Sequence, residues 1–153
     1  MPKRSKQDTL ITINTILEAA THQLIELGYD KMSYTTLSKE TGISRTGISH
    51  HFPKKTDFTS ALEGRFIKTA IDQLDITTSL SALTSSWANA LTNSSFMSIF
   101  KLVFHHSIVS GDDCNFSHRF IDKIITLIVH ELGEEARKEV EMMLGRTLIA
   151  MAK

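Results

Sequence analysis

The chain has 153 residues, 41% of them apolar, with 17 basic and 17 acidic side chains, enough for one compact core or a small domain joined to a larger one and too apolar for a disordered chain. Seven Gly and only two Pro leave long stretches without a breaker, which disfavours a sandwich or barrel and predicts an all-α protein. Cys114 is the one cysteine, so an internal disulfide framework and the paired-cysteine zinc signatures are excluded.

In chain order, the start Pro2-Lys3-Arg4-Ser5-Lys6-Gln7-Asp8 has no apolar run behind it. A secretory leader is not expected, and the setting predicted is reducing and cytoplasmic. From about Asp8 to Leu27, the residues Leu10, Ile13, Ile16, Leu17, Ala20, Leu24 and Leu27 recur at steps of three and four, one apolar helical stripe. Gly28 suits the left-handed position just past a helix end. After it, Ser33, Thr35 or Thr36 can cap a short second helix, about Thr36 to Thr41, with Leu37 turned inward. Gly42 ends that helix, Ile43 follows, and Ser44 caps a third from about Arg45 to His51.

Pro53 stops the third helix, and a fourth is expected from near Lys54 to Thr56 up to about Leu74, with Phe58, Leu62, Phe66, Ala70 and Leu74 on one face. Ile76 to Ser79 reads as a linker. Further helices are predicted over Leu80 to Leu91, Phe96 to Ser110, Asn115 to Leu132 and Glu134 to Ala152. The acids Glu134 and Glu135 sit at the positive end of the last one, and Gly111, Asp112 and Asp113 form a turn. The longest uncharged span, Ile76 to Phe100, is rich in Ser, Thr and Asn and is not a membrane span.

The balanced total charge hides a patch. Residues 1 to 60 carry eight basic against six acidic side chains, and residues 61 to 153 carry nine against eleven. Between Lys39 and Lys55, Lys39, Arg45, Lys54 and Lys55 face a single acid, Glu40, and His50 and His51 stand beside them. Two short helices joined by Gly, an apolar residue and Ser have the helix-turn-helix layout. Ile43, Ile48 and Phe52 would face the first helix, leaving Arg45, Thr46, Gly47, Ser49 and His50 outward. In that layout the second helix enters the major groove with polar side chains at base edges, while helix ends and cations hold phosphates. An ordinary helical hairpin with a solvated basic face is the competing reading.

The run "TTLSKETGISRTGISHHFPKKTDF", Thr35 to Phe58, resembles the DNA-binding signature of TetR-family transcriptional regulators, and the resemblance covers about residues 8 to 70. It implies a homeodomain-like helix-turn-helix domain over 8–55, with its recognition motif at about 33–52, and a helical regulatory and dimerisation domain over 56–153. Thr36 is similar to the family's phosphate-contacting Thr, and Arg45, Thr46 and Gly47 stand at its base-reading positions. Ser49, His50, His51 and Lys55 match positions that touch the phosphate backbone, and Thr35, Ser44 and Lys54 complete the candidate set. The chain departs from the pattern at Thr46-Gly47, where a Gly or Pro followed by Thr is usual, and at Ser49, where Tyr is usual. Arg45 has the fork to contact guanine, worth about 1 to 3 kcal/mol of discrimination. Lys3, Arg4 and Lys6 form either an arm for an adjacent minor groove or a solvated end.

By the same resemblance the partner is a double-stranded DNA operator, read as a palindrome by a homodimer that acts as a repressor, with no catalytic residues, no resident cofactor and no membrane contact. Trp87, Leu91, Phe96, Phe100, Val103 and Phe104 are either the wall of a pocket for a small apolar or amphipathic effector or a packed core; Trp87, Phe100, Phe104 and His105 are the candidate ligand contacts. In the last two helices, Ile121, Ile124, Ile125, Leu127, Ile128 and Leu132, then Val140, Met143, Leu144, Leu148 and Met151, exceed what one core face needs. They form a dimer interface or are buried within the monomer. His105, His106, Asp112, Asp113, Cys114 and His118 have residue types of a metal or redox sensor, or are structural. A helical module that binds a partner protein and has lost DNA contacts at Ser49 is the reading from another class.

Overall fold

A computed structural model describes residues 5–109 and 115–153. Among these residues the chain is all-helical: α1 (Lys6–Glu26), α2 (Tyr34–Thr41), α3 (Arg45–His51), α4 (Thr56–Ile71), α5 (Leu80–Ala90), α6 (Ser94–Val109), α7 (Phe116–Leu132) and α8 (Ala136–Met151). No described helix is long and apolar enough to cross a membrane. The expected turn at Gly111, Asp112 and Asp113, and the positions of Lys3, Arg4 and Cys114, lie outside the described residues.

The chain divides into two compact units between Leu62 and Glu63, inside α4. The α4 stripe explains this division. Phe58 and Leu62 are buried in the first unit, and Phe66 and Ala70 in the second.

In the first unit α1 packs on α2, and α2 on α3. The buried stripe of α1 is Ile16, Ala19, Ala20, Gln23 and Leu24. Leu10 and Leu27, expected on that stripe, are 59% and 48% exposed, because the helix runs past its packing partners at both ends. Gly28 closes α1 at φ +88 and Gly42 closes α2 at φ +74, the left-handed backbone that glycine adopts without Cβ strain. The second helix starts at Tyr34, two residues earlier than the sequence suggests, because the cap is Ser33. Its hydroxyl accepts from the Thr36 N–H (3.1 Å) while the Thr36 hydroxyl accepts from the Ser33 N–H (2.8 Å), so two otherwise unpaired donors are satisfied at once.

The second unit rests on long amphipathic helices, α6 on α7, α7 on α8, and α5 and α6 on α8. Its interior is aromatic: Trp87, Phe96, Phe100, Phe116 and Phe120 are fully buried, and the Phe100 ring lies 4.8 Å from Phe96, 5.7 Å from Trp87 and 5.7 Å from Phe120. A polar link from α5 to α8 crosses it. The Trp87 indole N–H donates to the Thr147 hydroxyl (2.9 Å), which donates to the Met143 carbonyl (2.7 Å), so the indole is buried without losing its hydrogen bond.

The expected linker before α5 is an ordered turn. The Asp75 carboxylate accepts from the Thr77 and Thr78 N–H groups (3.2 and 3.0 Å). The Thr78 side chain, which also hydrogen-bonds the carboxylate, and these two backbone bonds hold the Asp75 carboxyl below the usual carboxylate range.

Candidate nucleic-acid interface

The recognition helix is seven residues long, too short to hold itself together. It is fixed at both ends by neighbours. At its start the Ser44 hydroxyl accepts from the Gly47 N–H (3.0 Å). At its end Phe52 is buried and stacks on Phe58 of α4 at 4.8 Å, so the anchor is the fourth helix as well as the hairpin, where the sequence points to the first. The Tyr34 hydroxyl donates to the Phe52 carbonyl (2.6 Å). This bond satisfies a helix-end acceptor from a different helix. Burial, with the Asp57 carboxylate nearby, raises the Tyr34 hydroxyl above its ordinary value and keeps it a donor.

With Ile48 and Phe52 turned in, α3 presents Arg45, Thr46 and His50 to solvent, and Gly47, Ser49 and His51 are half-buried along its flanks. Of the set predicted to face outward, Arg45, Thr46 and His50 are exposed and Gly47 and Ser49 are half-buried. Ser49 does not project freely: its hydroxyl donates back to the Thr46 carbonyl (3.2 Å). His50 and His51 have ring centroids 5.2 Å apart, edge to face, at the negative end of the helix where cations are favoured.

Gly47 has a structural reason. A Cβ there would lie 3.1 Å from Ile43 Cγ2 and 3.2 Å from Ser44 Oγ, so a side chain would crowd both the turn and its cap. The departure at Thr46-Gly47 is thus a close fit of helix to turn. Thr46 is left as the exposed side chain of the pair.

Two of the candidate phosphate contacts also have partners within the chain. Thr36, matched by resemblance to a phosphate-contacting residue, is half-buried: besides the Ser33 box, its hydroxyl donates to the Gln23 side-chain oxygen (2.6 Å), and the Gln23 amide donates to the Thr36 carbonyl (3.1 Å). Gln23 is 3% exposed, so this pair is an internal link between α1 and α2. Thr35, one residue earlier, is exposed. Lys55 is half-buried, with its ammonium 4.2 Å from the centre of the Tyr29 ring, a cation held over an aromatic face. Burial lowers its pKa, and the Asp30 carboxylate opposes the shift. Sequence reasoning missed Tyr29; the only signal for it is an aromatic residue after the helix-ending glycine.

Lys54 is exposed, and its backbone N–H donates to the Asp57 carboxylate (2.8 Å) at the head of α4. Lys6 belongs to the first turn of α1 and not to an arm ahead of it, since Ser5 caps the helix by accepting from the Asp8 N–H (3.1 Å).

A hairpin whose second helix is capped, anchored and polar outward is built to carry side chains into a groove. Residues 16–62 match the family described as bacterial regulatory proteins, tetR family, and residues 63–151 match the tetracycline repressor LuxT C-terminal domain. The chain belongs to the TetR family. No curated protein matches the sequence. As a TetR-family protein it is a DNA-binding transcriptional regulator.

The second candidate set lies in the second unit. Trp87 and Phe100 are fully buried in the aromatic interior, whereas Phe104 and His105 are half-buried. Of the mixed cluster, His106 is buried, with its Nδ1 2.9 Å from the Leu102 carbonyl, and His118 is exposed. Cys114, Asp112 and Asp113 lie outside the described residues. Among the described residues no group of three or more His, Cys, Asp or Glu side chains could hold a metal ion.

Proposed function

We propose that this TetR-family regulator is a cytoplasmic repressor that binds a palindromic operator as a homodimer. The observation that carries the reading is the α3 surface: Arg45, Thr46 and His50 exposed on a helix held by the Ser44 cap and the Phe52 anchor. Arg45 reads a guanine edge and Thr46 a neighbouring base. Thr35, Ser44, Ser49, His50, His51, Lys54 and Lys55 contact the flanking phosphates, with Tyr29 aiming the Lys55 ammonium.

Support for the dimer comes from α8. Met142, Leu148 and Ile149 are 43%, 52% and 63% exposed on this one helix, an apolar surface of the sort that oligomers cover. Two copies related by a two-fold axis present two recognition helices to successive major grooves. A small apolar or amphipathic effector is proposed to act through the second unit beside Phe104 and His105. Release requires that it bind one conformation better than the other.

Selection of duplexes from random DNA by the purified protein tests the reading. A two-fold symmetric consensus bound by two chains per duplex, with affinity falling steeply as salt rises, is expected. An asymmetric consensus bound by a single chain would contradict the dimer, and no enrichment would contradict operator recognition.

A further inference from the structure

The α1 stripe does not stop where its core stops. Ile16 is the first buried residue of α1, and four and seven residues before it, at positions that continue the same face, stand Thr12 and Thr9. They overhang a groove of about 760 Å³, lined by these two threonines on one side and by the Gly42–Ser44 turn and Gly47, His50 and His51 on the other. Hydroxyls therefore occupy the places where an apolar stripe would have continued.

We infer that this groove seats one sugar-phosphate strand of the bound duplex, extending the DNA interface from α3 onto the first two turns of α1. The inference rests on the DNA-binding reading and adds Thr9 and Thr12 to it. Three features of the groove fit an anionic backbone. No carboxylate is among the described side chains that line it. Gly42 leaves backbone open to close approach, and beside the apolar Ile43 the polar side chains present are hydroxyls and imidazoles, which donate to phosphate oxygens. The groove is also continuous with the reading helix, since His50 and His51 belong to both. The Thr9 and Thr12 hydroxyls donate to the Ser5 and Asp8 carbonyls of the preceding turn (3.3 and 3.0 Å). A hydroxyl so placed rotates to donate to a phosphate oxygen instead.

The test uses the full chain and a duplex that the parent protein selects from random DNA, with affinity measured by fluorescence anisotropy across a salt series. A lysine at a phosphate contact adds one released counterion. Thr12→Lys is therefore expected to steepen the slope of log affinity against log salt by about 0.9, and Thr12→Glu to weaken binding at least about tenfold through like-charge repulsion. Thr15→Lys, on an exposed position of the same helix, is the control and leaves the parent slope unchanged. Thr9→Lys is the second variant, in case Thr12→Lys lowers the melting temperature. Slopes for Thr9→Lys and Thr12→Lys equal to that of Thr15→Lys overturn the groove while leaving the recognition helix standing. A parent that selects no duplex overturns both.

Discussion

The two units solve different folding problems. In the first, α2 and α3 have only eight and seven residues, too few to be stable alone or to bury a wide stripe. Polar links set their register: the Ser33–Thr36 box, the Gln23–Thr36 pair, the Ser44 cap and the Tyr34 bond to the end of α3. In the second, helices of 16 or 17 residues, α6, α7 and α8, meet through an aromatic interior that holds the polar link from Trp87 to Thr147. A surface that must present particular atoms to DNA is held by directional bonds, whereas a helical body is held by area, which is less demanding of residue identity.

Substitutions can break that contrast. The largest effect is expected in the aromatic interior: Phe100→Ala removes a fully buried ring in contact with Trp87, Phe96, Phe104 and Phe120 and should cost about 3 to 5 kcal/mol. Trp87 is the only tryptophan, so its fluorescence during denaturation reports this unit; a loss below about 1 kcal/mol would mean that the rings do not hold it.

A smaller effect is expected from Gln23→Leu, which keeps the side chain's bulk but deletes the bonds to Thr36 in the first unit. About 1 to 3 kcal/mol is expected, the cost of cutting a buried polar pair, read by far-UV circular dichroism. No change would mean that packing alone sets the register of α2, and the contrast between the units would fail.

These residues also mark how far the sequence could be read. The bounds of α3, the glycine stops and the exposure of Arg45, Thr46 and His50 were legible because caps, glycine and helical spacing are local signals. Thr36 was not. Its direction depends on Gln23, thirteen residues away, and three neighbouring hydroxyl residues could each have capped the helix. Lys55 was legible as a cation but not as one held over Tyr29, and the exposure of Leu10 reflects where packing ends, which periodicity does not encode. Trp87 and Phe100 read equally as pocket or core from composition. Their burial is a tertiary fact.

The smallest effect concerns the turn before α5. Its hydrogen bonds hold the Asp75 carboxyl below its usual range, so the unfolded chain takes up the proton first. The stabilisation is complete above the unfolded carboxylate pKa and is lost as pH falls through the lower folded value. Asp75→Asn should therefore lower the melting temperature slightly near neutral pH, and parent and variant should converge in acid. A gap that widens as pH falls would contradict the assigned role.

The division of labour proposed for α3, which reads bases, and its surroundings, which hold phosphates, is probed by measuring Arg45→Ala and Lys55→Ala against every single-base variant of the selected operator. Arg45→Ala should lose about tenfold or more of discrimination at one position in each half-site and little elsewhere, while Lys55→Ala should weaken all variants alike and make the salt dependence shallower. An Arg45→Ala protein that keeps the parent's preference at every position would contradict the assignment of α3 as the reading helix.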